Sequence, residues 1–468
     1  MLVFALVTLY ILLALFLIIG LLINGVRPAR TLAWLLAIFT IPVGGILLYL
    51  MLGRNRRKKK LARLRNNSIE IPSFLENIEV ETSQPKYKKM MSLIKKVTHF
   101  PPTSHNRITL LEDGAQTFNK IFEALEKAES YIYLQYYIFE EGELANKLLI
   151  LFKKKIEEGV SIKMIYDGVG SYSLSTSYIK ELKTMGVEVY SFLPFRFGRF
   201  LSSLNYRNHR KIIVVDGIIA FTGGINISDK YLRKDKDLGK WHDMHLAIEG
   251  RAVSFMEHVF ISDWFMVSEK KVPLRTPPKG ITNNGFQTIV QVVQSGPDDA
   301  FPNIEQSYLS IINEARDYLY ITNPYIIPSN EILKALQIAA LSGIDVRLLI
   351  AEKSDSKLVD WTVRSYFDSF LKSGVRIFLF PHGFLHSKIL VSDDDIASIG
   401  TANIDVRSFE HNYEVNALLY DSDTARILKK NFMRDCKQSK ELRLHTYAQR
   451  PTLDRLIEGT ARVFAPVL

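Results

Sequence analysis

Two stretches of the chain share one pattern, HRKIIVVDGIIAFTGGIN at residues 209–226 and HSKILVSDDDIASIGTAN at residues 386–403. Every matched residue of the second stretch lies 177 positions after its counterpart, as His386 does after His209. In each stretch His and Lys lie two apart before an apolar run, so both polar side chains share one face of a predicted strand. One such pattern is weak evidence, but two copies in register indicate a pair of functional segments facing one cleft.

The pattern extends beyond the His and Lys positions. A glycine lets backbone approach a ligand closely, and an asparagine offers a neutral amide donor. Each aspartate lies seven residues after its histidine, on the opposite face of the strand, so a structural role in a turn stays open beside a role in the site. The matched residues are His209, Lys211, Asp216, Gly223, Gly224 and Asn226, and His386, Lys388, Asp393, Gly400, Thr401 and Asn403.

The segments that surround these stretches also repeat. AESYIYLQYYI (128–138) is similar to ARDYLYITNPYI (315–326), and GVSIKMIYD (159–167) is similar to GIDVRLLIA (343–351). Helical spacing alternates with such β-rich runs, which indicates an α/β fold. A single long period predicts two similar lobes related by a pseudo-two-fold axis rather than a solenoid. We expect the lobes at 106–275 and 306–468, with a linker at 276–305 between them.

Two carboxylates are candidates to orient the histidines. Asp243 lies in WHDMHLAIEG, 34 residues after His209, and Glu414 lies in HNYEVNALLY, 28 residues after His386. A carboxylate on one ring nitrogen fixes the tautomer, so that the other nitrogen can attack or donate a proton. A buried structural ion pair is the alternative for each.

The paired motifs resemble the twin HxKxxxxD signature of the phospholipase D superfamily. The resemblance implies a phosphodiester substrate, attack by one histidine to form a covalent phosphohistidine, and proton transfer by the other. It assigns catalytic roles to the His, Lys and Asp residues of both motifs. It assigns phosphate binding to the remaining residues of the pattern, which are Asn226, Asn403, Gly223, Gly224, Gly400 and Thr401.

We expect neither a metal nor a cofactor. His242, Asp243 and His245 are close in sequence, but on a strand His242 faces away from the other two. The only cysteine, Cys436, excludes a disulfide framework and any cysteine-rich metal site. The superfamily more often uses its N-terminal motif as nucleophile, which favours His209 as nucleophile and His386 as acid and base.

Longer blocks resemble the bacterial cardiolipin synthase family. They are RPARTLAWLLAIFTIPVGGILLYLMLGRNRRKK (27–59), SGPDD (295–299) and GTANIDVRSFEHNYE (400–414). The resemblance implies that two phosphatidylglycerol molecules become cardiolipin and glycerol, with anionic membrane lipids as partners. Exchange of one primary-alcohol phosphodiester for another needs no activated donor, and the chain shows no P-loop to bind a nucleotide.

Two uncharged segments precede the lobes, at residues 1–23 and 31–52. Each reaches the roughly 20 apolar residues that cross a bilayer, so we predict a transmembrane hairpin over residues 1–53. A cleaved signal peptide would need a positive start and a shorter apolar core. Pro42, Gly44 and Gly45 leave open a second segment that dips into one leaflet.

The net charge of +11 is concentrated beside the predicted hairpin. The first 66 residues hold ten of the 60 Lys and Arg and none of the 49 Asp and Glu, so the other 402 residues carry only +1. The basic flank begins a juxtamembrane segment and connector at 54–105, and it predicts a cytoplasmic catalytic region on the bacterial plasma membrane. The near-neutral remainder argues against a nucleic-acid partner.

An insertion in the first repeat mixes aromatic and basic residues as FLPFRFGRF (192–200). We expect it to dip into lipid headgroups, and an ordinary packed loop is the alternative. The lipid-contact candidates are Phe195, Arg196, Phe197, Arg199 and Phe200.

Three other functions compete with cardiolipin synthesis. A membrane-anchored phospholipase D hydrolase would use the same residues and release phosphatidic acid. A superfamily nuclease would need a basic surface for the nucleic-acid phosphate backbone, and the 402 residues after residue 66, with a net charge of +1, do not offer one. A membrane scaffold without activity is disfavoured because both motifs keep their reactive residues.

Overall fold

The computed structural model describes most of the chain as two compact units. Of the described residues, one unit contains those within 2–49 and the other contains those within 85–468. The predicted lipid-contact residues 195–200 and the basic run at 54–65 lie outside the described residues. The described residues are 2–23, 28–49, 85–194, 206–235, 238–275 and 287–468.

The smaller unit contains the helices α1 (Leu2–Ile23), α2 (Pro28–Thr40) and α3 (Pro42–Leu48). The segment predicted as one span at 31–52 is divided at Ile41, because proline cannot continue the i→i−4 hydrogen bonding of the preceding helix. Counting only the residues that the structure describes, none of the helices is both long and apolar enough to cross a membrane. The transmembrane hairpin stays a prediction from sequence.

The larger unit is a mixed α/β structure. Its strands are β1 (Thr103–Leu111), β2 (Tyr131–Tyr136), β3 (Ser161–Asp167), β4 (Glu188–Phe192), β5 (Arg207–Asn208), β6 (Ile212–Val215), β7 (Ile219–Gly223), β8 (Trp241–His242), β9 (His245–Gly250), β10 (Thr288–Ser295), β11 (Tyr318–Thr322), β12 (Ile326–Ile327), β13 (Asp345–Ala351), β14 (Arg376–Phe380), β15 (Phe384–Leu385), β16 (Ile389–Ser392), β17 (Ile396–Gly400), β18 (Ile404–Asp405), β19 (Asn412–Tyr420) and β20 (Lys440–Leu442).

The larger unit also contains helices. They are α4 (Lys88–Thr98), α5 (Gly114–Glu126), α6 (Glu143–Glu157), α7 (Thr176–Thr184), α8 (Val253–Ser268), α9 (Asn303–Glu314), α10 (Asn330–Leu341), α11 (Lys357–Arg364), α12 (Phe367–Lys372), α13 (Val406–Glu410), α14 (Ser422–Lys437), α15 (Leu444–Ala448) and α16 (Thr452–Arg462). Short 3-10 turns occupy Pro85–Tyr87, Asp229–Tyr231 and Ala465–Val467.

The sheet consists of two halves with the same strand order. The first half runs β1-β9-β7-β6-β2-β3-β4 and the second runs β10-β19-β17-β16-β11-β13-β14, with β20 added at its edge. Antiparallel pairing of β1 with β10 joins the halves into one sheet. We call the halves with their helices the first lobe and the second lobe. The predicted α/β fold with two similar lobes is confirmed.

Each lobe has its own apolar core, as its sequence periodicity predicts. Helical positions such as Phe118 and Phe152 pack against the fully buried strand β2 in the first lobe. In the second lobe, Tyr308 and Phe370 pack against β11 and β13. Because strands buried on both faces read as nearly continuous apolar runs, β2 and β11 appear in the sequence as aromatic and aliphatic stretches whose only polar residues other than tyrosine are Gln135 and Thr322.

Two predicted boundaries are wrong. Residues 288–295, assigned to the linker, form β10 at the centre of the joined sheet, and α9 begins within the same predicted linker. The connector at 54–105 contains α4, whose Met90 and Ile94 are buried in the core of the second lobe. The repeat that located the lobes does not extend to either segment, so neither was assigned to a core.

The motif aspartates occupy tight turns rather than the site. Both have left-handed backbone, with φ of 53° at Asp216 and 54° at Asp393. The carboxylate of Asp216 accepts hydrogen bonds from the N–H groups of three consecutive residues, 129–131, and Asp393 accepts from 316–318. The catalytic assignment of both is corrected: each ties the β6–β7 or β16–β17 turn to the start of the central strand.

We predict that Asp216→Asn lowers the free energy of unfolding by about 1–3 kcal/mol, because it removes acceptor capacity from three backbone donors. Asparagine tolerates the left-handed backbone, so the change tests the hydrogen bonds alone. The measurement is urea unfolding followed by circular dichroism. Asp423→Asn, at a side chain that is 88% exposed, is the control and should match the unsubstituted chain. Equal stability of the Asp216 variant and the control would contradict this role.

Candidate active site

Two short strand pairings bring the histidines of both lobes together. Strand β5 pairs in parallel with the start of β19, and β15 pairs in parallel with β8. Immediately after these pairs, the His209 N–H donates to the Tyr413 carbonyl at 2.9 Å, and the His386 N–H donates to the His242 carbonyl at 2.8 Å. Each histidine therefore follows a strand that lies against the opposite lobe.

This arrangement crosses the predicted partnerships. His209 Nδ1 lies 3.0 Å from Oε2 of Glu414, and His386 Nδ1 lies 2.7 Å from Oδ2 of Asp243. The sequence had associated each carboxylate with the histidine that it follows. The pairing is the reverse because β5 lies beside residues 412–413, which lead directly into Glu414.

The two pairs differ in charge. Burial and the positive charge of Lys211 hold the pKa of His209 well below its ordinary value. Burial also raises the pKa of Glu414 to about 7, so this carboxyl is about half ionised at neutral pH. Burial opposes ionisation of Asp243 too, but attraction to His386 leaves the pKa of that carboxyl below its ordinary value.

His386 has the stronger support for a positive charge. Burial and then Lys388 lower its pKa to about 4, while the Asp243 carboxylate opposes this shift. A negative ligand in the cleft would raise the pKa of His386 back toward its ordinary value, because an opposite charge nearby favours the imidazolium. Without a ligand both imidazoles therefore favour the neutral form, and the Asp243 carboxylate makes His386 the one that gains a proton more readily once an anion is bound.

Both motif lysines are buried beside the histidines. Lys211 Nζ donates to the His209 carbonyl at 2.7 Å, and Lys388 Nζ donates to the His386 carbonyl at 2.5 Å. Burial lowers the pKa of Lys211 to about 7 and that of Lys388 to about 8, with nearby carboxylates opposing both shifts. The lysines therefore supply positive potential to the cleft, and an anionic ligand would strengthen it.

Four residues predicted to bind phosphate lie beside the carboxylates or the residues next to them. A Cβ on Gly224 would lie 2.1 Å from Oδ1 of Asp243, so glycine makes room for that carboxylate. A Cβ on Gly223 would lie 2.6 Å from Cα of His245, and one on Gly400 would lie 2.2 Å from Oδ1 of Asn416. Thr401 Oγ1 donates to Glu414 at 2.5 Å. Phosphate binding by these four residues stays a prediction.

The asparagines do face the cleft between the lobes. This cleft has a volume of about 320 Å³ and is lined by both histidines and by Asn226 and Asn403. Asn226 is held on both sides, since its Oδ1 accepts from the Ile138 N–H and its Nδ2 donates to Tyr231. The Oδ1 of Asn403 is buried, and no described residue bonds to it.

Three aromatic residues complete the cleft and were not predicted. The Tyr137 ring lies 4.7 Å from the His209 ring, edge to face. Tyr231 OH lies 3.4 Å from Nδ1 of His386, and the Trp241 ring lies 5.4 Å from the His386 ring. Tyr137 directly follows β2 and Trp241 begins β8, but their spacing in the sequence matches that of core residues and gives no signal of a site.

Two other charged or titratable residues near the site, Asp167 and His242, serve the scaffold. Asp167 accepts hydrogen bonds from Arg207 and from the Asn208 N–H, which fixes strand β5. His242 Nε2 lies 3.4 Å from Oδ2 of Asp435, on the other side of its strand from Asp243. Among the described ranges, no three His, Cys, Asp or Glu side chains are grouped to hold a metal.

The family model "Cardiolipin synthase, PLD-like domain" matches residues 121–264 and 308–436, and "Phospholipase_D-nuclease N-terminal" matches 9–54. The chain is 40% identical to the cardiolipin synthase of Geobacillus sp. (strain WCH70), over 94% of this chain and 89% of that protein. It is 38% identical to cardiolipin synthase 2 of Bacillus anthracis, over 94% and 87%.

A solved structure shares the fold. The phosphatidylserine synthase of Haemophilus influenzae Rd KW20 superposes with a TM-score of 0.62, at 14% identity, over 81% of this chain and all of that chain. At this identity the likeness concerns the fold alone.

We predict that the crossed pairs can be read from the histidine tautomers. Asp243→Asn should change the ¹⁵N shifts of His386 and leave those of His209, because the carboxylate that fixes Nδ1–H is lost only there. Glu414→Gln should do the opposite. NMR of chain labelled with ¹⁵N-histidine measures both. A response of His209 to Asp243→Asn would instead indicate pairing within each lobe.

Proposed function

Because the chain belongs to the family of phospholipase D-like cardiolipin synthases, we propose that it joins two phosphatidylglycerol molecules into cardiolipin and releases glycerol. Its function is that of a cardiolipin synthase, a phosphatidyltransferase. The observation that carries the proposed mechanism is the meeting of His209 and His386 in one cleft, each beside a carboxylate.

In the first step, Nε2 of His209 attacks the phosphorus of one phosphatidylglycerol. The bond between phosphorus and the glycerol oxygen breaks, and His386 donates its proton to that oxygen, so glycerol leaves. The lowered pKa of His209 is compatible with its role as nucleophile, because only a neutral imidazole has the lone pair. Glu414 then faces the imidazolium of the phosphohistidine and offsets its charge.

In the second step, the neutral His386 accepts the proton of a glycerol hydroxyl on the second phosphatidylglycerol. That oxygen attacks phosphorus, the bond to His209 breaks, and cardiolipin is released. Lys211 and Lys388 stabilise the extra negative charge on the phosphoryl oxygens in both steps. Asn226 and Asn403 add amide groups at the cleft wall.

The exchange is nearly balanced in energy because one primary-alcohol phosphodiester replaces another. Water competes with the lipid hydroxyl for the intermediate, so the cleft has to exclude water during the second step. The aromatic wall of Tyr137, Tyr231 and Trp241 supports this requirement, since their apolar rings surround the histidines.

We also propose that the apolar segments 1–23 and 31–52 anchor the enzyme in the bacterial plasma membrane, with the basic run at 54–65 on the cytoplasmic side. The support is the charge distribution of the sequence and the match of residues 9–54 to the N-terminal family model. The insertion at 192–200 is proposed to contact lipid headgroups through its Phe and Arg residues.

Purified enzyme in phosphatidylglycerol vesicles should form cardiolipin and glycerol in equal amounts, as measured by mass spectrometry of the products. His209→Ala should reduce the rate by at least about a thousandfold, because removing a nucleophile removes the covalent route. His445→Ala, at an exposed histidine of α15, is the matched control and should retain the rate. Accumulation of phosphatidic acid in place of cardiolipin would identify a hydrolase instead.

A further inference from the structure

The cleft is not symmetric where the two lobes differ in sequence. Ser228 and Asp405 both line the cleft and lie 177 positions apart, the offset that relates the two motifs. Ser228 Oγ donates to Glu140 at 2.5 Å, and Lys230 lies 3.3 Å from the same carboxylate. The first lobe therefore balances its carboxylate with two partners, while the second lobe places a carboxylate where the first has a hydroxyl.

Asp405 is buried, with 5% of its surface exposed. Its Oδ1 accepts from the Ser408 N–H at 2.6 Å as the N-cap of α13. Burial raises its pKa to about 6, so the group is mainly ionised at neutral pH. Arg407 also lines the cleft and its positive charge acts on Asp405. A carboxylate still repels a phosphate, so Asp405 is placed to accept a hydrogen bond from some other part of the ligand.

Other acceptor oxygens of the second lobe surround it. Asp355 and Tyr325 line the same cleft, where Tyr325 OH donates to Oδ1 of Asp355 at 2.6 Å. Asn403 is 8% exposed, and its Oδ1 has no partner in the described part of the chain. Its counterpart Asn226 has partners on both side-chain atoms.

This cluster lies on the side of the cleft that holds the second motif. The charges of Asp405 and Asp355 both act on Lys388, which donates to the His386 carbonyl. Asp243 and Glu414 act most strongly on both lysines, and the next negative groups are Asp405 and Asp355 at Lys388 but Asp167 at Lys211. The acceptor oxygens are thus placed near the histidine that exchanges protons with the glycerol oxygen in the proposed mechanism.

We propose that Asn403, Asp405 and Asp355 form a subsite for the free hydroxyl groups of the glycerol headgroup, beside His386. The subsite selects a polyol over a simple alcohol as leaving group and as acceptor. Hydroxyl donors bond to the carboxylates and to the buried Oδ1 of Asn403, whereas an alcohol without further hydroxyls leaves that Asn403 oxygen unpaired, which is the basis of discrimination. This inference rests on the proposed transfer between glycerol phosphodiesters.

The reverse reaction tests it directly. Full-length enzyme is incubated with cardiolipin and equal concentrations of deuterated glycerol and 1-propanol, and mass spectrometry gives the ratio of deuterated phosphatidylglycerol to phosphatidylpropanol. The unsubstituted enzyme should favour glycerol. Asp405→Asn should lower the ratio at least tenfold, because transfer to glycerol falls more than transfer to propanol. Asparagine is an equally good N-cap, so α13 is preserved.

Asp421→Asn is the matched control, since Asp421 caps α14 through the Thr424 N–H at 2.9 Å and is not among the residues that line the cleft. It should keep the original ratio. Asp355→Asn, at an exposed position, should also lower the ratio. It provides the test if Asp405→Asn does not fold. Unchanged ratios in both cleft variants, or equal losses with both alcohols, would overturn the subsite. Absence of any transfer by the unsubstituted enzyme would instead overturn the proposed function.

Discussion

The structure of the site depends on one interaction that is made twice across the lobes, a carboxylate of one lobe bound to the imidazole of the other. Neither lobe by itself contains both a histidine and the carboxylate that binds it. The joined sheet, the short parallel strands before each histidine and the glycine that makes room for Asp243 all serve this contact. A change that separates the lobes would therefore disable both histidines together.

Much of the site could be predicted from the sequence because its chemistry is carried by a repeat. Two His-x-Lys strands in register identify the reactive residues, and Asp243 and Glu414 stand out as acidic residues in apolar strands. Which carboxylate meets which histidine could not be predicted, because that depends on how two sheets join at β1 and β10, and sequence distance along one lobe carries no information on that join.

Other errors have a similar physical origin. Asp216 and Asp393 belong to the repeated pattern because the repeated turn needs them, and repetition alone does not separate a structural requirement from a chemical one. Strand β10 was assigned to the linker since only pairing with β1 and β19 makes its apolar run part of a core. The cleft wall formed by Tyr137, Tyr231 and Trp241 comes from separate segments whose spacing is that of ordinary core residues.

A symmetric scaffold thus carries two unequal pairs: the pKa of Glu414 beside His209 is raised to about 7, whereas that of Asp243 beside His386 lies below its ordinary value. The most direct test is to incubate His386→Ala and His209→Ala separately with phosphatidylglycerol, digest them at neutral pH and map covalent adducts by mass spectrometry. The account predicts a phosphatidyl group on His209 in the His386 variant and none in the His209 variant. An adduct on His386 in the His209 variant would contradict it.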